Sequence, residues 1–138
     1  MRIHSFLSII LIVLLFNTNS IANEKIIAVF DLIKQKEWQK SFESAHALND
    51  PVLEKIVLSQ QFLDYKYKEN SFEKITNFLK QNPHWPQKNL IQISAENLLN
   101  ENTPINSILS WFNSNQPLTD KGHKYYALTC TKLKKLPD

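Results

Sequence analysis

The sequence predicts an all-α fold of antiparallel helix hairpins forming part of an α-superhelix, solenoid-like in organisation. Three observations point there. Apolar residues recur at helical spacing in segment after segment, and no stretch sustains strand alternation. The chain has 6 Pro against 1 Gly, which disfavours the β-hairpin turns of strand-rich folds and glycine-cradled phosphate loops while leaving proline free to start helices. Short Asn/Asp/Pro connections separate the apolar segments, and short connections favour antiparallel helix neighbours. The chain reads as successive hairpins without one long central helix, which favours a solenoid over a bundle. A length of 138 residues is one domain's worth, and 43% hydrophobic residues supply a packed core.

Residues 1–22 read as an export signal. Arg2 supplies the positive start, Phe6 to Phe16 is an apolar run broken by Ser8, and Ser20 and Ala22 are the small residues before a cleavage point. The run is shorter than the roughly 20 apolar residues a membrane span takes. No Cys stands near the cleavage point, which excludes a lipid anchor. The expected product is periplasmic, cleaved after Ala22, with no stable membrane insertion afterwards. Residues 23–138 are then the α-superhelical domain fragment.

Along that segment, Ile26, Ile27, Phe30 and Ile33 or Lys34 form a first stripe, with a break near Gln35–Glu37. Trp38, Phe42, Ala45 and Leu48 form the second. Asp50 and Pro51 make an N-cap and first-turn proline, followed by Val52, Ile56, Phe62 or Leu63, and Tyr67. Asn70 and Glu73 read as a capping box ahead of Phe72, Ile75, Phe78 and Leu79. Asn82-Pro83-His84-Trp85-Pro86 breaks the chain. Leu90, Ile93, and Asn97 or Leu98 carry the next helix. Thr103-Pro104 repeats the cap-plus-proline start before Ile105, Ile108, Leu109 and Phe112. Thr119-Asp120 opens a last helix running to about Lys135 and containing Gly122. That is about seven helices.

No catalytic, cofactor-binding or metal residue is assigned. Lys+Arg 16 against Asp+Glu 13 gives a net charge of +3, too mild for a nucleic-acid partner. A lone cysteine, Cys130, excludes an intramolecular disulfide and reads as a small core hydrophobe. Glu24, Glu37, Glu43, Glu54, Glu69, Glu73, Glu96 and Glu101 show no pairing that would raise a carboxyl pKa. Glu73 is expected to cap, and Glu96 to serve as a surface or inter-helix partner. His46, His84 and His123 are isolated, and no serine sits in a G-x-S-x-G elbow. Trp38, Trp85 and Trp111 read as core anchors rather than sugar platforms.

One long run is more specific: Ser71-Phe72-Glu73, Phe78-Leu79, Asn82-Pro83-His84-Trp85-Pro86, Leu90, Ala95-Glu96, Leu99, Pro104, Ile108-Leu109-Ser110-Trp111-Phe112, Pro117-Leu118-Thr119 and Gly122. In order and spacing it resembles the N-terminal superhelical, U-shaped region of the soluble lytic murein transglycosylases, over about residues 24–135. The resemblance implies an exported chain of paired helices attached to an enzyme that cleaves the MurNAc–GlcNAc bond of peptidoglycan to a 1,6-anhydro product. That chemistry uses one catalytic Glu in a Glu-Ser motif of a C-terminal lysozyme-like domain, and no metal. Here the only Glu-Ser pair is Glu43-Ser44, outside any such motif. The chain alone is therefore expected to be inactive, a truncated or split gene product whose partners are glycan strands or a protein covering the exposed superhelix end. The alternative is a stand-alone periplasmic helical-repeat adaptor that binds another protein.

Overall fold

The computed structural model describes residues 23–134; the expected signal segment 1–22 and the expected helix end at Lys135 lie outside the described residues. The described chain is all-α, with seven helices and no strand: α1 over 23–34, α2 Trp38–Ala47, α3 Pro51–Leu63, α4 Phe72–Gln81, α5 Lys88–Asn97, α6 Ile105–Phe112 and α7 Asp120–Lys134. Two compact units divide it, one ending at Leu58 and the next starting at Ser59, within α3.

The first unit is built around Val29, Ala45, Leu53 and Val57, with Ile26, Ile33, Phe42 and Leu48 packed against them. The α1 stripe is rotated from its expected position. Residues 26, 29 and 33 share one face at helical spacing, which leaves Ile27 59% exposed and Phe30 40% exposed. The expected break after α1 is a Schellman turn, with Glu37 N–H donating to Leu32 O and Lys36 N–H to Ile33 O, both at 3.0 Å. Its left-handed residue is Lys36, φ 60°; Asn49 and Gln87 are the other positive-φ positions among the described residues. In a chain with one glycine, other residues must occupy left-handed turns. Asp50 caps α3 as expected, its Oδ1 accepting from Val52 N (2.9 Å) and Leu53 N (3.1 Å). Leu53 and Val57 are the buried positions, and Val52 is exposed.

The second unit starts late in α3. That helix stops at Leu63 instead of continuing to Tyr67. Buried Asn70 holds the loop by donating from Nδ2 to Gln61 O (2.8 Å) and Asp64 O (3.2 Å). Asn70 Oδ1, the acceptor an N-cap needs, is taken by Gln61 Nε2 at 3.1 Å, and the N-cap of α4 falls to Ser71, whose Oγ accepts from Lys74 N at 3.2 Å. The Asn70–Glu73 capping box does not form, because Glu73 then stands one position too early to close it. Phe72, Ile75, Phe78 and Leu79 are buried as the spacing predicts. The proline-rich stretch breaks the chain as expected, and Phe78 meets Phe62 and Trp85 edge-on at 5.3 and 5.4 Å between centroids.

In α5 the buried residues are Ile91, Gln92, Ala95 and Glu96, while Leu90 is 52% exposed, a rotation of the expected face. Helix α6 starts one residue after its expected position. Pro104 takes the cap place without a side-chain bond, and Thr103 Oγ1 accepts from Asn100 N inside the preceding loop. Helix α7 opens where predicted, with Thr119 Oγ1 accepting from Gly122 N at 2.9 Å. Helix α4 packs on α5, and α7 packs on both α5 and α6. Phe112 bridges Phe72 and Tyr126 at 6.3 and 5.3 Å.

The rotation of α5 is explained by Glu96, which is completely buried. Its Oε2 accepts from Thr119 N and Thr119 Oγ1, each at 2.7 Å, and both carboxylate oxygens accept from Leu118 N at 3.0 Å. Gln92 Nε2 donates to Oε1 and to Gln116 O, both at 2.8 Å. In return, Lys121 Nζ donates to Asn97 O at the end of α5, at 2.7 Å. A carboxylate at the start of α7 also complements that helix's dipole. Gly122 makes room for it: a Cβ there would lie 2.7 Å from Glu96 Cδ and clash with Oε2.

Glu96→Ala is expected to lower stability by about 3 kcal/mol or more, since it strands several buried donors worth about 1–3 kcal/mol each. Urea denaturation measures it. Gly122→Ala separates this account from helix propensity by sign. Propensity alone predicts a gain of about 1 kcal/mol, whereas the close approach predicts a loss of about 1–3 kcal/mol.

Candidate functional site

The faces of α4 and α6 opposite their apolar stripes form a polar groove. On α4, Glu73, Thr76, Asn77 and Lys80 recur at helical spacing; on α6, Asn106, Ser107 and Ser110 face them across a cleft of about 250 Å³. Lys80 Nζ donates to Ser110 Oγ at 2.8 Å and fixes the two walls at one end. Thr76 turns its hydroxyl back onto its own helix, to Phe72 O at 2.9 Å. At Glu73 the groove meets a second cleft of about 390 Å³, bounded by Ser71, Leu98 and the 100–104 loop. The loop is held from within: Asn102 N donates to Asn100 Oδ1 and Asn100 Nδ2 to Leu98 O.

The joint lining is therefore mostly amides and hydroxyls, with one cation and one carboxylate. Such a surface recognises uncharged, hydroxyl- and amide-bearing ligands by hydrogen bonding. Glu73 is its exceptional member, because Oε1 is buried without a hydrogen-bond partner. Expected from the sequence to cap, it instead lies between the two clefts. The signal for this groove was present as the polar stripe 73–77–80 on α4 and 106–107–110 on α6, but neither stripe names its neighbour.

The other chemistry-bearing residues are dispersed. His46 Nδ1 contacts Glu54 Oε1 at 2.8 Å, while His84 and His123 are exposed on separate elements. Glu43 accepts from Gln39 on an exposed face of α2. Cys130 is half-buried on α7. Trp38 and Trp111 are buried core residues, as predicted, and Trp85 is half-buried against Phe78. Among the described residues, no three His, Cys, Asp or Glu side chains converge as a metal site, and no helix is long and apolar enough to cross a membrane. No protein-family model, no curated protein and no solved structure matches this chain.

Glu73→Gln is expected to raise stability by about 1 kcal/mol. It replaces a buried, partnerless carboxylate oxygen by a neutral amide that costs less to remove from water, and forfeits only about 0.3–1 kcal/mol of helix-dipole interaction in the first turn of α4. Thermal unfolding of the two chains measures the difference; a loss would mean that Glu73 stabilises α4 after all.

Proposed function

We propose that this chain is a non-catalytic helical module of the soluble lytic transglycosylase type, its hairpins part of a superhelix that faces peptidoglycan glycan strands in the periplasm. The observation that carries the reading is the Glu96 latch. Three pieces of the resemblance, Ala95-Glu96, Pro117-Leu118-Thr119 and Gly122, are joined in one hydrogen-bonded clasp, so their spacing answers to a single physical constraint. Matches that are individually weak gain weight when one interaction requires them together.

The α4–α6 groove suits a glycan. Its amides and hydroxyls can pair with sugar hydroxyls and N-acetyl groups, and Lys80 can meet a stem-peptide carboxylate. Cleavage is not part of the proposal. A general acid has to reach the glycosidic oxygen, whereas Glu96 is enclosed and engaged by the start of α7, Glu43 lies on an exposed helix face, and Glu73 in the groove has its Oε1 buried.

Purified full chain is expected to sediment with murein sacculi and to release no anhydro-muropeptides. Asn77→Glu with Asn106→Glu, both at exposed positions, is expected to reduce the bound fraction at least tenfold by placing carboxylates against the glycan and its acidic stems. Release of anhydro-muropeptides would overturn the non-catalytic reading. Failure to sediment would overturn the glycan-facing one and favour the adaptor alternative.

A further inference from the structure

On the other side of the 100–103 loop, α6 and α7 form a depression of about 500 Å³ that sets apolar side chains among two lysines and the amides and hydroxyls of Asn100, Asn102, Thr103 and Thr129. Its apolar part comes from Ile105 on α6 and from Tyr125 and Leu128 on α7, above buried Ile108. Leu128 is 45% exposed in the middle of the α7 wall. Lys124 and Lys132 stand one turn before and one turn after it on the same stripe, a separation of about 12 Å along the helix. Lys124 Nζ lies 5.9 Å from the Tyr125 ring centroid, and neither lysine has a carboxylate partner among the described residues. On the loop rim the charge is reversed, since that wall carries Glu101.

We propose that this groove docks an acidic amphipathic helix of a partner protein. Tyr125 and Leu128 lie three residues apart on α7, about one turn, with Ile105 on the facing α6, which suits a pair of aliphatic anchors one turn apart on an incoming helix. The cation at each end of the α7 wall selects carboxylates flanking those anchors. Glu101 on the opposite rim orients the partner, because the acidic flank must lie toward α7 and away from the loop. A glycan would leave Leu128 and Ile105 without a matching surface, whereas an aliphatic helix face buries them. The inference does not depend on the glycan reading: the two clefts share Asn100, Asn102 and Thr103 of the loop between them, but the anchors and lysines invoked here lie on α6 and α7 outside the polar groove.

The test titrates the full chain with two 16-residue helical peptides sharing Leu at i, i+4, i+7 and i+11, one flanked by Glu and the other by Lys. Fluorescence anisotropy of labelled peptides is expected to show the Glu peptide binding at least tenfold more tightly than the Lys peptide, with the gap narrowing as salt is raised. Lys124→Glu with Lys132→Glu is expected to invert the preference, and Leu128→Asp to abolish binding of both. All three positions are exposed, so helical circular dichroism should be retained, and it verifies that the variants fold. Equal affinities, no binding of either peptide, or a preference indifferent to the lysine reversals would overturn the proposal. So would sedimentation as a dimer that Leu128→Asp dissolves, which would make a second copy the occupant. Sacculus binding by the Leu128→Asp chain separates this result from the glycan reading.

Discussion

The carboxylate of Glu96 lies in the interior at the start of α7, receiving backbone N–H groups from Leu118 and Thr119, the Thr119 hydroxyl and the Gln92 amide. Each donor would otherwise be a polar group removed from water, so the carboxylate and the chain that wraps it are mutually dependent. Helix α5 must turn Glu96 inward, the 116–119 segment must present its N–H groups, and position 122 must lack a Cβ. Lys121 closes the same joint from the opposite direction through Asn97 O. These bonds set where α7 begins, and packing on α6, with Tyr126 5.3 Å from Phe112, holds the rest of the helix.

The two faces available for binding in the second unit follow from that placement. With α7 held against α5 and α6, the 100–104 loop has one cleft on each side. On one side α4 and α6 present amides, hydroxyls and a carboxylate oxygen without a partner; on the other, α6 and α7 present Ile105, Tyr125 and Leu128 among lysines, Thr129 and the polar loop residues. A polar wall recognises by directional hydrogen bonds, and an aliphatic wall by area and rim charge. One small helical unit thus presents two clefts that share Asn100, Asn102 and Thr103 of the loop between them and differ in their helix residues.

How much of this was legible depended on whether a signal was local. Asp50 and Thr119 cap the helices they were expected to cap, because an N-cap is decided by a residue and the three that follow it. The cap of α4 slipped from Asn70 to Ser71 because Asn70 Oδ1 is claimed by the Gln61 amide, nine residues away, while its Nδ2 is held by the carbonyls of Gln61 and Asp64. Helix α5 turned away from Leu90 because a buried glutamate outweighed an exposed leucine. A leucine left in water forgoes about 1.5–3 kcal/mol, whereas misplacing Glu96 would strand several donors at about 1–3 kcal/mol each. In α1, Ile27 and Phe30 satisfied the helical period but not the face that Val29 occupies.

By itself, the sequence determined the all-α class, the positions of most helix breaks and the core stripe of α4. These follow from proline placement, side-chain capping and apolar period, all of which act over a few residues. Only the tertiary structure decided which face of α5 is buried, that Glu96 is a clasp and Glu73 a groove residue, and which polar stripe meets which. Each of those outcomes depends on groups far apart in sequence meeting in space, as Glu96 does with Thr119 and Lys80 with Ser110. A one-dimensional pattern shows that a helix has a polar face; three-dimensional packing decides what that face touches.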